Sequence, residues 1–162
     1  MPSVTDTYIE NRKRIQPNDA NNYKIAHGGV VMNEMDEIGA IAAMRFAGET
    51  CVTATVENVS FRRPIPVGDI ARIEAFVYDA GTTSVRVHLR ADRENPRTGE
   101  RERTTDSSFT FVAIDDDGNP TPVPELTVDS ERGRRLRADA FDARGDFRAT
   151  GEKDKQGQPE GE

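Results

Sequence analysis

The chain has 162 residues and a net charge of −7, and 18 of its 22 basic residues are arginine. That length suits one domain with a real core rather than two, and the acidic balance speaks against general nucleic-acid binding. No apolar run approaches about 18 residues and no signal-like apolar region opens the chain, so neither a membrane span nor a secretory signal is expected, and the cytoplasm is the default compartment.

In chain order, Thr5–Arg14 reads as a short extended segment able to supply one strand. The stretch Asp19–Glu37, DANNYKIAHGGVVMNEMDE, passes from turn-prone polar residues through Gly28-Gly29 into a helix. From Val30 to Phe46 apolar residues recur at 30, 31, 35, 38, 41, 42 and 46, which is helical spacing with no proline inside. Gly39, Ala40, Ala42 and Ala43 make one flank thin enough for a sheet to wrap closely, and Gly48 offers a stop. Strands follow: Cys51–Phe61 with a change of phase near Val59, Ile70–Tyr78, Thr83–Ala91 and Arg103–Ile114. Their two-residue alternation predicts antiparallel pairing with one face buried and one wet. Breaks fall at Arg63–Gly68, at Asp79–Gly81 and at Glu94–Gly99, all rich in turn residues. The expected fold class is α+β, an antiparallel sheet wrapped around one long central helix in the order β-α-β-β-β-β.

From Thr127 the composition changes to mixed charge with few large apolar residues. Asp129 or Ser130 can cap a short helix to about Phe141, and disorder is expected after Gly145. The division is therefore 1–126 for the folded domain and 127–162 for a charged, solvated appendage without chemistry.

Asp36 is the residue that packing alone does not require, set among Val30, Val31, Met35, Ile38 and Ile41. A helix start rich in backbone amides can hold developing negative charge while a nearby acid handles a proton. Gly28 and Gly29 either permit a tight entry into the helix or let a ligand oxygen approach those amides. Asn21 on its own reads as a turn residue, and Gly81, Thr82, Thr83 and Ser84 as a turn into a strand. Arg62 and Arg63 suit phosphate but also an ordinary surface. His27 is a rival base best read as a loop residue, and His88 has no role. The single Cys51 excludes an internal disulfide framework, and with two histidines 61 residues apart no metal cluster is visible.

The pattern DAN-x6-GG-x6-D across Asp19–Asp36, the turn FRRPIPVGD (Phe61–Asp69), Gly81–Val85 and the final strand segment Phe111–Asp115 occur in order. Together they resemble the hot-dog-fold acyl-CoA thioesterases, in the branch of bacterial, archaeal and cytosolic brain-type acyl-CoA hydrolases. The resemblance covers roughly Gln16–Leu126. It departs at Lys24, where the family usually has glycine. It implies hydrolysis of acyl-CoA to free acid and CoA, with Asp36 as general base or nucleophile. Asn21 would position the reacting groups, and Gly28 and Gly29 would polarise the carbonyl, with Gly29 nearer the oxygen. Gly81, Thr82, Thr83 and Ser84, with Arg62 and Arg63, would contact the CoA moiety. No cofactor or metal is implied, CoA being part of the substrate, and the assembly would be a homodimer or a tetramer or hexamer of dimers. The alternatives are a non-catalytic acyl-CoA-binding regulatory domain and a hot-dog hydratase or dehydratase.

Overall fold

The computed structural model describes residues 1–143; the disorder expected after Gly145 falls outside them. Five strands, β1 (Ile9–Arg14), β2 (Thr50–Val56), β3 (Ile70–Ala80), β4 (Ser84–Glu94) and β5 (Arg101–Ile114), pair antiparallel in the order β1-β3-β4-β5-β2. The sheet curls around helix α2 (Gly28–Ala47); a single helical turn, α1 (Val4–Thr7), precedes β1, and a helix α3 spans residues 131–143.

Helix α2 buries Val31, Met35, Ile38, Gly39, Ala42, Ala43 and Phe46, a stripe at three- and four-residue spacing. These meet the inward residues of the sheet, among them Ile73, Val77, Val87, Leu89, Phe109 and Phe111. Each such aliphatic or aromatic side chain contributes about 1.5–3 kcal/mol by leaving water. The thin flank matters at Gly39, where a Cβ would lie 3.0 Å from Leu89 and 3.2 Å from Phe111, so the sheet closes tightly only over glycine. Gly48 ends the helix in the left-handed region at φ 70°, its N–H donating to Met44 O.

Three expectations need correction. Residues 5–7 are helical rather than extended, because Ser3 and Asp6 form a reciprocal capping box. Strand β2 stops at Val56 rather than Phe61. Beyond it the backbone leaves the ladder for a loop held by Ser107 Oγ donating to Glu57 O at 3.1 Å and by Arg62 N–H donating to Thr104 O at 2.9 Å. The change of phase near Val59 is that departure. Third, the outer face of the sheet is not wet. Phe76 and Tyr78 are fully buried beneath α1 and α3, packed with Val4, Leu136, Ala140 and Phe141.

The segment after Thr127 is therefore no solvated appendage where it is described. Tyr78 and Phe141 meet edge to face at 5.1 Å, Arg137 Nε donates to Tyr78 O at 3.1 Å, and Arg90 pairs with Asp139 at 3.6 Å. The few apolar residues of α3 suffice because they cover only the two aromatics of β3. Beside them the outer face carries ions: Arg72, 7% exposed, bonds Asp92 at 3.1 Å and Glu10 at 3.1 Å, and Tyr8 OH donates to Glu74 at 2.5 Å. Burial favours the neutral Glu74, but the Tyr8 hydroxyl and Arg72 more than offset it and hold its carboxyl below the ordinary range.

Candidate active site

Asp36 lies two turns into α2, half-buried, at the seam between helix and edge strand. Its Oδ1 accepts from Thr53 Oγ1 at 2.5 Å. Thr53 sits on β2, where the pairing with β5 slips between Thr53 and Thr55, so the hydroxyl is presented at an irregularity of the outermost strand. The other carboxylate oxygen has no protein partner among the described residues and is left for chemistry. Thr53 was invisible in the sequence, being one β-branched residue in the strand TCVTATV; only the packing of β2 against α2 makes it the partner of Asp36.

The helix start is open in a complementary way. His27 takes the cap position without a side-chain hydrogen bond. Val30 and Val31 N–H both donate to His27 O, whereas the amides of Gly28 and Gly29 have no acceptor. These two orphan donors carry the positive end of a 20-residue helix. A Cβ at Gly28 would press to 3.0 Å from the Phe61 ring, and one at Gly29 would meet nothing within 4 Å; Gly28 is half-buried and Gly29 exposed.

Asn21 anchors the loop before the helix. Its Oδ1 accepts from Tyr23 N–H at 2.9 Å and Ile25 N–H at 3.3 Å, and its backbone bonds Ile25 O and Lys24 N–H. Because backbone amides can only donate, the carboxamide oxygen must face the loop, which leaves the Nδ2 donors directed away from it. Lys24, where the resemblance has glycine, adopts φ 61°, the one left-handed non-glycine residue among those described. Glycine takes that conformation without strain; lysine holds it here because the Asn21 hydrogen bonds dictate the turn.

The site residues thus fall into two groups within one chain. Asp36 and Thr53 form the first, and Thr53 stands in the same row as Phe111 and Val85, one residue past the Gly81–Ser84 turn. Asn21, Gly28 and Gly29 form the second, joined by Arg63 beside Gly28 in one cavity wall, whereas Arg62 lines the outer cavity beside His88. Seven residues separate Gly29 from Asp36, about 10 Å of helix rise, so one chain does not bring them to a common carbonyl. Both arginines are exposed and already paired, Arg62 with Asp106 at 3.2 Å and Arg63 with Glu102 at 3.8 Å. The Gly81–Ser84 turn closes through Gly81 N–H donating to Ser84 O, and a Cβ at Gly81 would strike Ser84 Oγ at 2.6 Å.

His88 is 3% exposed on the outer face, against Phe76 and Tyr78, beside a polar cavity of about 220 Å3. Burial pushes its imidazole down to about 4, with the Arg90 charge adding to the effect. Among the described residues no cluster of His, Cys, Asp and Glu is arranged to hold a metal ion, and no helix is long and apolar enough to cross a membrane.

The family model of the thioesterase superfamily matches residues 23–100. An uncharacterised acyl-CoA thioester hydrolase of Bacillus subtilis, YkhA, is 36% identical over 126 residues, spanning 78% of this chain and 73% of that one. The chain belongs to the thioesterase superfamily, among its acyl-CoA thioester hydrolases. The acyl-CoA hydrolase of Staphylococcus aureus, solved in complex with butyryl coenzyme A and coenzyme A, superimposes with a TM-score of 0.80 at 31% identity, covering 95% of this chain and 94% of that one. A hexameric acyl-CoA thioesterase solved without ligand gives a TM-score of 0.79 at 36% identity over 91% and 94% of the two chains. Structures of the Staphylococcus aureus hydrolase also exist with one asparagine, one aspartate or one threonine replaced by alanine. Those three positions stand 15 and 17 residues apart in that chain.

Proposed function

We propose that this acyl-CoA thioester hydrolase works through Asp36, oriented by Thr53, with Asn21 and the Gly28-Gly29 amides of a second copy completing each site. The observation that carries the reading is a spacing. Asn21, Asp36 and Thr53 repeat the separations of 15 and 17 residues between the asparagine, aspartate and threonine replaced in the Staphylococcus aureus hydrolase. Asp36 and Thr53 are also in direct contact here.

In this reading the thioester oxygen rests on the Gly29 amide, supported by Gly28, where donors already point and need no reorganisation as charge develops. The unpaired oxygen of Asp36 either takes a proton from water attacking the carbonyl, which expels CoA as the thiol and leaves the free acid, or attacks the carbonyl itself, which expels CoA and forms a mixed anhydride that water then hydrolyses to the free acid. The Nδ2 of Asn21 donates to the water or the carbonyl. Arg62, Arg63 and the turn Gly81, Thr82, Thr83 and Ser84 are assigned to the CoA moiety, which is part of the substrate, and no separate cofactor is invoked. A hydratase would want a paired acid and histidine, and the buried His88 on the outer face is remote from Asp36.

The separation of the two groups supports a two-chain site. Edge strand β2 leaves Val52 44% and Val56 39% exposed, and α2 leaves Ile41 and Met44 exposed, an apolar margin that a second copy would cover. Antiparallel pairing of two β2 edges reverses one copy end to end and carries its helix start toward the other's Asp36. The proposed assembly is a dimer or a tetramer or hexamer of dimers, in keeping with the hexameric relative. The proposed compartment is the cytoplasm. Residues 1–126 are assigned to the catalytic domain, and 127–162 to an extension that docks through α3.

Thiol release from acetyl-, butyryl- and palmitoyl-CoA tests the reading, with Asp36→Asn as the control. Wild-type turnover lost at least about 10²-fold in the variant is expected. Equal turnover in both proteins removes Asp36 from the chemistry.

A further inference from the structure

A cleft of about 490 Å3 opens between the end of β1 and the hairpin that joins β4 to β5. Its walls are Arg14, the turn Val67-Gly68-Asp69, and Asn95, Pro96 and Arg97 of the hairpin. None of these residues belongs to the candidate active site.

The backbone fixes both walls. Ile15 N–H donates to Asp69 O at 2.9 Å and Gly68 N–H donates to Ile15 O at 2.9 Å, which ties the turn to the end of β1. In the hairpin, Asn95 Oδ1 accepts from Arg97 N–H at 2.8 Å and from Thr98 N–H at 3.3 Å. Gly99 N–H donates to Asn95 O at 2.8 Å and closes the turn. Arg14 and Arg97, far apart in sequence, thereby come to one cleft.

The chemistry of the walls is one-sided. Arg14 and Arg97 have no acidic partner among the described residues, whereas their neighbours Arg12, Arg93 and Arg101 are all paired with acids. Asn95 spends its side-chain oxygen on backbone amides, which only donate, so its Nδ2 donors are directed away from the turn. The one acid, Asp69, accepts from Arg93 Nε at 2.6 Å and is neutralised within the chain. The polar side chains left to the cleft are therefore donors, two of them cationic, in a chain of net charge −7. Two like charges facing one cleft raise the free energy of the fold, and an anion between them reverses that sign.

We propose that this cleft binds a phosphorylated nucleotide. Guanidinium groups match phosphate oxygens two at a time, and arginines on two different walls suit more than one phosphate group. The volume exceeds what a single phosphate fills, and Val67 and Pro96 add apolar surface for a sugar or a base. Val67 N–H donates to Lys24 O at 2.9 Å, so the cleft stands behind the loop that carries Asn21. The nucleotide is either the phosphorylated end of an acyl-CoA, a source that rests on the hydrolase reading above, or a free nucleotide bound as a separate ligand.

Titration calorimetry at low salt tests the site, with ADP, adenosine 3′,5′-bisphosphate and inorganic phosphate as probes. The proteins are the full-length wild type and the double variant Arg14→Gln with Arg97→Gln, with circular dichroism to verify the fold. Both nucleotides should bind the wild type more tightly than phosphate does, and more weakly as salt is raised. The double variant should lose at least about tenfold in nucleotide affinity, the worth of charge-assisted hydrogen bonds. A wild type that binds neither nucleotide, or binds phosphate as tightly, overturns the proposal; so does a double variant that binds nucleotides equally well. KM values then identify the source. A KM raised about tenfold for butyryl-CoA, with that for S-butyryl-pantetheine unchanged, makes the nucleotide the substrate's own. Unchanged KM for both, with ADP affinity lost, makes it a free nucleotide. Equal rises for both substrates place the effect at the thioester end and overturn the assignment. A wild type that hydrolyses neither thioester ends the hydrolase reading, and the calorimetry still decides the cleft.

Discussion

At the scale of single residues, the seam between α2 and β2 decides what Asp36 can do. A carboxylate on a helix surface is ordinary; one whose Oδ1 is fixed by Thr53 at 2.5 Å while its other oxygen stays unpaired is positioned for a reaction. Thr53→Val should therefore lower kcat about tenfold with little change in KM, the loss expected from one orienting hydrogen bond. Steady-state thiol release, with circular dichroism to verify the fold, measures it, and an unchanged kcat would show that Thr53 does not orient the acid. His88 carries a second residue-scale consequence. Its folded pKa of about 4 lies below the ordinary histidine value of 6.5, so the unfolded chain binds a proton that the folded chain refuses between those values. The stability from a neutral His88 is complete above about pH 6.5 and is lost as pH falls toward 4. Melting temperatures at pH 7.5 and pH 5 should fall less in His88→Gln than in wild type. Equal falls would show that His88 titrates as it does in the open chain.

Among the elements, α3 has the least expected role. Its sequence is charge-rich and its apolar residues are few, yet Leu136, Ala140 and Phe141 close a second small core over Phe76 and Tyr78. Truncation after Leu126 should uncover two large aromatics on β3, lower the melting temperature by several degrees and raise binding of an apolar-surface dye. A truncated protein that melts with the full chain would mean that α1 and the ion pairs suffice to cover that face. The two edge strands differ in kind. β1 is tied to its neighbour β3 through Arg72 and Glu10, and one strand further to β4 through Arg12 and Glu94 at 2.9 Å. β2 offers bare backbone and exposed valines. Charge blunts one edge of the sheet, and the other is left suited to pairing.

For the whole molecule the telling quantity is the distance along α2. About 10 Å of helix rise between Gly29 and Asp36 keeps the amide donors and the acid of one chain apart. The proposed site shared between two copies would resolve this, and it would make complementation possible. Asn21→Ala and Asp36→Ala proteins, each inactive alone, should recover about a quarter of wild-type activity after subunit exchange, because random pairing gives half mixed dimers with one intact site each. Confirmed exchange without recovery would place both residues in one chain's site.

How much of this was legible beforehand follows from range. Helix α2 and the four strands after it were readable because periodicities of 3.6 and 2 are local consequences of burying one face, whereas the hot-dog class came from the resemblance that the four ordered motifs carry. Asp36, Gly28 and Gly29 were readable as candidates because a lone acid in an apolar helix and a glycine pair at its start conflict with simple packing. The sequence also carried Lys24 as a departure, but its left-handed backbone belongs to the folded loop, where Asn21 accepts from two amides. The role of Thr53, the inward turn of Thr104, the burial of His88 and the docking of α3 were not legible. Thr53 gains meaning from a strand beside a helix 17 residues away in the chain. Thr104 owes its inward turn to a register slip that alternation cannot foresee. His88 and α3 depend on each other's side of the sheet, since a strand that looks half-wet in sequence becomes buried on both faces once a distant segment returns to cover it. Local pattern dictates which way a side chain points along its own element, whereas what it meets there is decided only when elements far apart in sequence pack together.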